Sequence, residues 1–306
     1  MEFDVDSWRE LPVYSGVASD YLTEDSGNPW LSLGVMDSIR DEPLLQAWDH
    51  YLGIQTEMLV DQEMTWLRAR GFAQNARGVL EVGSANGDYG AHLAREFPDV
   101  RIYGVEANPC LADRYDPLAE TGQNYSIDIC KVGEQELPKE ISGNFTHCIL
   151  RYVLQHVSDP ARVVSALYDA LPVGGRIFII EEDETYLRAQ PNWPAYEGAV
   201  DIWRRVLAAG GTDNAIGGKL PGILAGVGFD VDAFEIKLRN NVEVGDTFLA
   251  YFAAASRVLH LTNPSLVTER ELQKVISEFE ASEAEHRKRY VATYPQFLLS
   301  AYKAAP

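Results

Sequence analysis

Cysteine is scarce in this chain: Cys110, Cys130 and Cys148 are the only three in 306 residues, widely spaced and odd in number. They form no CxxC pair and no His/Cys ligand spacing, so neither a disulfide framework nor a metal site is indicated. Basic residues are also few, 26 Lys and Arg against 46 Asp and Glu, for a formal net charge of −20. Non-specific nucleic-acid binding rests on neutralising phosphates, so RNA and DNA should be repelled. The one local basic cluster, His286-Arg287-Lys288-Arg289, follows Glu278, Glu280, Glu283 and Glu285 and reads as helical i,i+4 pairing. No apolar run of transmembrane length is present, and Met1 to Glu10 is acidic and polar rather than an apolar signal region. The chain therefore reads as cytoplasmic, without a membrane or nucleic-acid partner.

What is present is the composition of a globular protein, 46% hydrophobic and 24% charged. Residues 1–42 hold Trp8, Tyr14, Tyr21 and Trp30 among acids, Ser and Gly without a sustained period, as an ordered arm or lid would. From Pro43 to Arg70 apolar residues fall at helical spacing, predicting one or two amphipathic helices that end near Gly71. Short apolar runs then alternate with helical stretches. Strands are predicted at Val79–Val82, Arg101–Val105, Tyr125–Cys130, Phe145–Leu150 and Arg176–Glu181. Helices are predicted over Tyr89–Phe97, Leu111–Glu120 and Pro160–Leu171. That alternation predicts an α/β fold, a parallel sheet covered on both faces. Beyond it come helical stretches at 195–209 and 219–226, a strand at 231–238, a helical region at 246–289 and a short last strand at 297–302.

The chemistry concentrates at Val79-Leu80-Glu81-Val82-Gly83-Ser84-Ala85-Asn86-Gly87-Asp88-Tyr89-Gly90. A buried strand ends at Gly83, and small residues carry the chain round to a helix. Glycines there let a ligand approach the main chain, and the helix start offers free amides. The spacing Gly83-x-x-x-Gly87-x-x-Gly90 is not the G-x-G-x-x-G of a dinucleotide enzyme, which disfavours a nicotinamide dehydrogenase. Glu81 is unhelpful for pyrophosphate and suits the ammonium of an amino acid. Glu106, 23 residues past Gly83, ends the next strand, where a carboxylate accepts hydrogen bonds from ribose hydroxyls.

Three further segments complete the series: Lys131 to Pro138, Phe145 to Pro160 and Leu171 to Glu181. In order and spacing it resembles the class I S-adenosylmethionine-dependent methyltransferases that modify small molecules. Val79 to Gly87 matches V-L-D-x-G-x-G-x-G with Glu for Asp and Ala85 for the middle Gly. Gly133 to Pro138 matches G-D-A-x-x-L-P with one residue fewer, and Phe145 to Pro160 matches F-D-x-V-x-x-x-x-V-L-x-H-V-x-D-P with Thr146 for Asp. Leu171 to Glu181 matches L-x-P-G-G-x-x-x-x-x-E, again one residue short. The resemblance covers about Gly78 to Glu182.

It implies a doubly wound, mostly parallel, seven-stranded Rossmann-like sheet. Residues 1–70 would be an N-terminal arm and helical lid, 71–245 with 290–306 the cofactor-binding domain, and 246–289 a helical insertion before the last strand, covering the active site. It implies S-adenosyl-L-methionine as cofactor, held by Glu81, Gly83, Ser84, Ala85, Gly87, Glu106, Ala107, Glu134, Gln135 and Arg151. The catalytic candidates are His156, Tyr152 and Glu182; His156 stands where the family often carries a packing histidine. Tyr14, Tyr21, Trp193 and Tyr251 are candidates for a small, apolar or aromatic acceptor, methylated on O, N or C by a monomer or homodimer. The alternatives are a protein of this fold that binds the cofactor without methylating, and methylation of protein or RNA; the net charge opposes RNA.

Overall fold

The computed structural model describes residues 42–115, 124–281 and 289–305. Its first element is one continuous helix, α1 (Glu42–Ala69), which buries Trp48, Tyr51, Ile54, Met58, Leu59, Trp66 and Leu67 along its length. The helix stops as expected at Gly71, whose φ of +68° turns the chain left-handed while Phe72 N–H bonds back to Leu67 O at 2.9 Å.

The alternating region follows the predicted order. It contains β1 (Val79–Val82), α2 (Asp88–Glu96), β2 (Ile102–Glu106), α3 (Pro109–Ala112), β3 (Tyr125–Ile129), β4 (His147–Arg151), α4 (Pro160–Ala170) and β5 (Arg176–Glu181). Helix α4 starts where its sequence dictates: Asp159 caps it by accepting from Arg162 N–H at 3.1 Å, and Pro160 opens the first turn. After β5 come β6 (Arg188–Gln190), α5 (Pro194–Ala209), α6 (Leu220–Val227), β7 (Phe229–Asn240), α7 (Asn241–Val244), α8 (Asp246–Thr262), α9 (Glu269–Ala281) and β8 (Val291–Lys303).

Strands β3, β2, β1, β4 and β5 lie side by side and parallel; β8 runs antiparallel beside β5, and β7 and β6 both pair with β8. Successive strand residues feed opposite cores. Val79, Ile149, Phe178 and Ile180 pack with α1, α5 and α8 on one face, and Leu80, Val82, Leu150, Ile177 and Ile179 pack with α4 and α6 on the other.

Three details depart from expectation. The helix expected over Leu111–Glu120 is the single turn α3, which ends at Ala112, and 116–120 lie outside the described residues. The sheet has eight strands rather than seven, because β6 is only three residues long and too polar to show an alternation. The last strand is twice the predicted length, since Pro295 reads as a boundary yet lies inside β8. It is tolerated there because β6 pairs only up to Thr293 and β5 only from Phe297, so no strand on that side needs its missing N–H.

The sheet runs outward in opposite directions from β1 and β4, which are direct neighbours. The crevice at the carboxyl ends of two such strands is where open α/β sheets bind ligands.

Candidate functional site

A cavity lies at that crevice. Its floor is the β1–α2 loop, with the ends of β2 and β4 beside it; α1, α5 and α8 form the roof. The loop hugs the sheet. Gly83 N–H and Ser84 N–H both bond to Val105 O, at 2.8 and 3.1 Å, and Gly87 N–H bonds to Ser84 O at 2.8 Å. Gly83 and Gly87 have φ of +74° and +85°. A Cβ at Gly83 would lie 2.5 Å from Val153 Cγ2, and one at Gly87 2.6 Å from the Tyr115 ring. Ala85, which replaces a glycine of the pattern, nevertheless takes φ +48°. That left-handed conformation costs an alanine about 1–2 kcal/mol, and Glu106 Oε2 helps hold it by accepting from Ala85 N–H at 2.8 Å.

Two buried carboxylates face this loop. Glu106 accepts from Ala85 N–H through one oxygen and from Asn108 N–H through the other, at 2.9 Å. Each oxygen therefore keeps lone-pair capacity for a ligand hydroxyl, although burial holds the carboxyl above its usual range. Glu81 accepts from the Tyr125 hydroxyl at 2.6 Å. It lies on the cavity wall, and burial pushes its pKa up to about 8, against the pull of that hydrogen bond. A carboxyl destabilised in this way gains most from a cation placed against it.

Arg151 sits opposite, at the end of β4. Its Nε donates to Glu63 of α1 at 2.8 Å, its Nη1 donates to Gln55 at 3.3 Å, and its guanidinium lies 4.4 Å from the Tyr89 ring centroid. Its Nη2, though buried, has no hydrogen-bond partner among the described residues, and the side chain lines the cavity. Next to it Tyr152 adopts φ +54°, with its hydroxyl accepting from Gln296 Nε2 at 3.1 Å. Two of the four non-glycine residues at positive φ among those described, Ala85 and Tyr152, thus stand on the cavity wall. Strain of this kind collects at binding sites.

Behind the roof runs a chain of buried hydroxyls. Tyr294 donates to Glu182 at 2.5 Å, Tyr251 donates to Tyr294 at 3.3 Å, and the Tyr51 and Tyr251 hydroxyls are 3.0 Å apart. A phenol has one proton. With the Tyr294 proton committed to Glu182 and that of Tyr251 to Tyr294, Tyr51 must donate to Tyr251. All three donations point toward Glu182, and of the four residues only Tyr51 lines the cavity. Burial pushes Glu182 up to about 7, the negative Glu184 adding to the effect and the Tyr294 hydrogen bond opposing it.

The expected site residues are only partly gathered here. Glu81, Gly83, Ser84, Ala85, Gly87, Glu106, Ala107 and Arg151 line the cavity, as do Tyr152 and His156. His156 has its pKa lowered to about 4 by burial, so it is neutral at pH 7 and a weak base there. Glu134 and Gln135 are exposed and off the wall. The turn carrying them is closed by Glu134 N–H and Gln135 N–H on Lys131 O, and the Gln135 side chain is spent accepting from Lys131 N–H; Lys131 itself reaches the cavity. Trp193 is packed between Phe279, Tyr290 and Tyr196, away from the cavity. Tyr251 lies one layer behind the wall, while Tyr14 and Tyr21 fall outside the described residues.

None of the residues that form the roof was among the candidates. Trp48, Tyr51, Gln55 and Thr56 of α1, Trp203, Val206 and Leu207 of α5, and Ala255, Val258 and Leu259 of α8 make it almost wholly apolar. Gln55 and Glu63, buried on a largely apolar face, were the available signs that this helix does more than pack.

The arrangement fits an adenosyl amino acid. It offers a glycine cradle, a carboxyl waiting for an ammonium, an arginine with a free donor for a carboxylate, and a second carboxyl with capacity for two hydroxyls. Among the described residues there is no cluster of metal-ligating side chains, and no helix is long and apolar enough to cross a membrane.

Comparison with known proteins agrees with this geometry. Residues 80–177 match the model of a methyltransferase domain. The ubiquinone biosynthesis O-methyltransferase of Acinetobacter baumannii (strain AYE) is 27% identical over 115 residues, 38% of this chain and 48% of that protein. That of Erwinia tasmaniensis is 32% identical over 146 residues, 46% and 57% of the two chains. The chain thus spans about half the length of these curated relatives. Among solved structures, a Bacillus halodurans C-125 protein ascribed to the methyltransferases superimposes with a TM-score of 0.53 at 15% identity, over 80% of this chain and all of that one. The [4+2]-cyclase SpnF gives 0.51 at 15% identity, over 80% and 81%. The glycine cradle, the two strand-end carboxylates and the domain match together identify residues 80–177 as a methyltransferase domain of the class I S-adenosylmethionine-dependent kind.

Proposed function

We propose that this protein transfers a methyl group from S-adenosylmethionine to a hydroxyl of a small, largely apolar acceptor bound under the α1–α5–α8 roof. The observation that carries the reading is that Glu81 and Arg151 line one cavity with the glycine cradle, a carboxyl and a guanidinium for the two ends of an amino acid, with Glu106 alongside for ribose. When bound, the cofactor supplies an electrophilic methyl on a sulfonium centre.

The rest falls to the chain. Glu81 holds the ammonium, Arg151 Nη2 the carboxylate and Glu106 the ribose hydroxyls. Trp48, Leu52, Trp203, Val206 and Leu259 exclude water and match an apolar ligand. Holding two reactants in line accounts for up to ~7–11 kcal/mol of barrier lowering, so little further chemistry is required. A hydroxyl must still lose its proton. The oriented chain Tyr51–Tyr251–Tyr294–Glu182 is a route for it: Tyr51 takes the acceptor's proton, each phenol passes one on, and Glu182 receives it. A carboxyl whose pKa lies near 7 is well matched to that task. The relatives named as O-methyltransferases favour oxygen over nitrogen or carbon as the atom methylated.

Incubation with methyl-labelled cofactor and fractions of a metabolite extract tests the reading. Label should move to a small apolar metabolite, and Glu106→Ala should abolish the transfer. Turnover of an extract component without transfer of label would establish instead that the cofactor serves another reaction.

A further inference from the structure

We propose that this chain forms a two-fold symmetric dimer through the free edge of β7, joining two sheets into one. Among the described residues β7 pairs only with β8, so the opposite edge of a 12-residue strand has no partner. Beyond the register shift at Val231/Ala233, its side chains alternate cleanly. Phe234, Ile236 and Leu238 face outward at 44, 41 and 48% exposure, and Glu235, Lys237 and Arg239 lie on the other face. Val242 and Val291, also exposed, continue the apolar surface past the end of the strand. Exposed large apolar side chains elsewhere among the described residues are few and scattered, and concentration on one edge marks an interaction surface.

The sequence of the edge identifies a second copy as the occupant. Antiparallel pairing about a two-fold axis at Ile236 sets Ile236 against itself, Phe234 against the partner's Leu238, and Glu235 against the partner's Lys237. Directly opposed side chains sit about 4.5–5.5 Å apart. The apolar stripe then runs unbroken across the seam, and each copy contributes both members of the charge pairs, as a self-complementary interface requires. Neighbouring registers break the match. An axis at Lys237 sets two ammonium groups face to face, and one at Glu235 does the same with two carboxylates. Like charges directly opposed are destabilising, so of these three registers only the one at Ile236 is free of a repulsive pair. A lysine beside exposed apolar residues also serves to blunt an edge against association, and the two roles predict different masses in solution.

Sedimentation of the full chain in 0.3 M NaCl, which screens the −20 net charge, separates them. The expected species is twice 34.1 kDa. Ile236→Lys and Lys237→Glu should each weaken association at least tenfold, with thermal unfolding showing that both variants fold. Ile236→Cys should cross-link to itself under mild oxidation, while Phe234→Cys and Leu238→Cys should cross-link to each other in a mixture but not alone. A monomer at 100 µM overturns the proposal, as does a dimer indifferent to both charge-introducing variants.

Discussion

Glu81 provides the sharpest test of the cofactor site, because its burial makes ligand binding depend on pH. Before a ligand ammonium is placed beside it, burial pushes the carboxyl up to about 8, against 4.5 ordinarily. Below pH 8 it is therefore mostly protonated, whereas the complex needs it ionised against the ligand's ammonium. Binding at pH 6 must then expel one proton, and the dissociation constant should rise tenfold for each unit of pH lost. Between pH 7.5 and 5.5 that amounts to a weakening of about 100-fold, or ~2.7 kcal/mol at 1.36 kcal/mol per unit. Calorimetry with S-adenosylhomocysteine in two buffers of different ionisation heat reads both quantities directly. Glu106, also raised by burial, acts in the same direction, so the part belonging to Glu81 is the difference between the protein and Glu81→Gln. That variant should release one proton fewer and bind with a flatter pH profile, more weakly at pH 8 than the unsubstituted protein. A proton count that Glu81→Gln leaves unchanged would refute the assignment of the ammonium to this side chain.

Three further outcomes are expected. Gly83→Ala and Gly87→Ala should each lose S-adenosylhomocysteine binding at least tenfold, since an added Cβ meets Val153 or Tyr115 and the positive φ costs ~1–3 kcal/mol; Ala85→Gly should bind as well as the parent. Arg151→Met should lower stability to chemical denaturation by ~3–5 kcal/mol by stranding the buried Glu63, and Glu63→Gln in the same chain should recover much of the loss. With the acceptor found in the labelling experiment, Tyr294→Phe should cut kcat by about 10²–10⁴-fold while leaving KM near its parent value, and Glu182→Gln should remove the inflection near pH 7 below which kcat falls.

The half of the site that the sequence displays is the half built from local geometry. Glu81, Gly83, Gly87 and Glu106 stand at strand ends and in the turn between β1 and α2, so their place relative to one another follows from the strand–turn–strand pattern. The other half depends on which elements meet. Helical periodicity says that Tyr51 and Gln55 lie on the buried face of α1; it does not say that this face meets Tyr251 of α8 and Arg151 of β4. Aromatic residues mislead for the same reason. Trp193 immediately precedes α5 and Trp203 lies within it, yet the first fills a crevice against α9 and the second roofs the cavity. Glu134 differs again: it sits in a turn closed by its N–H on Lys131 O, exposed and off the cavity wall, in the segment that matches its pattern only with one residue fewer.

The same division bears on how the protein could work. The cradle contributed by β1, β2 and β4 is built from local strand-end and turn geometry, so its residues stand at readable spacings. The roof has no such constraint, because an apolar acceptor asks only for fitting surface and exclusion of water. Tyr51 belongs to both parts: it lines the cavity from α1 and opens the hydroxyl chain that ends at Glu182, just past β5. Under the proposed relay, acceptor chemistry is tied to a residue that lies outside every motif, so a chain with the same cradle and a phenylalanine at this position should bind the cofactor equally well and deprotonate its acceptor poorly.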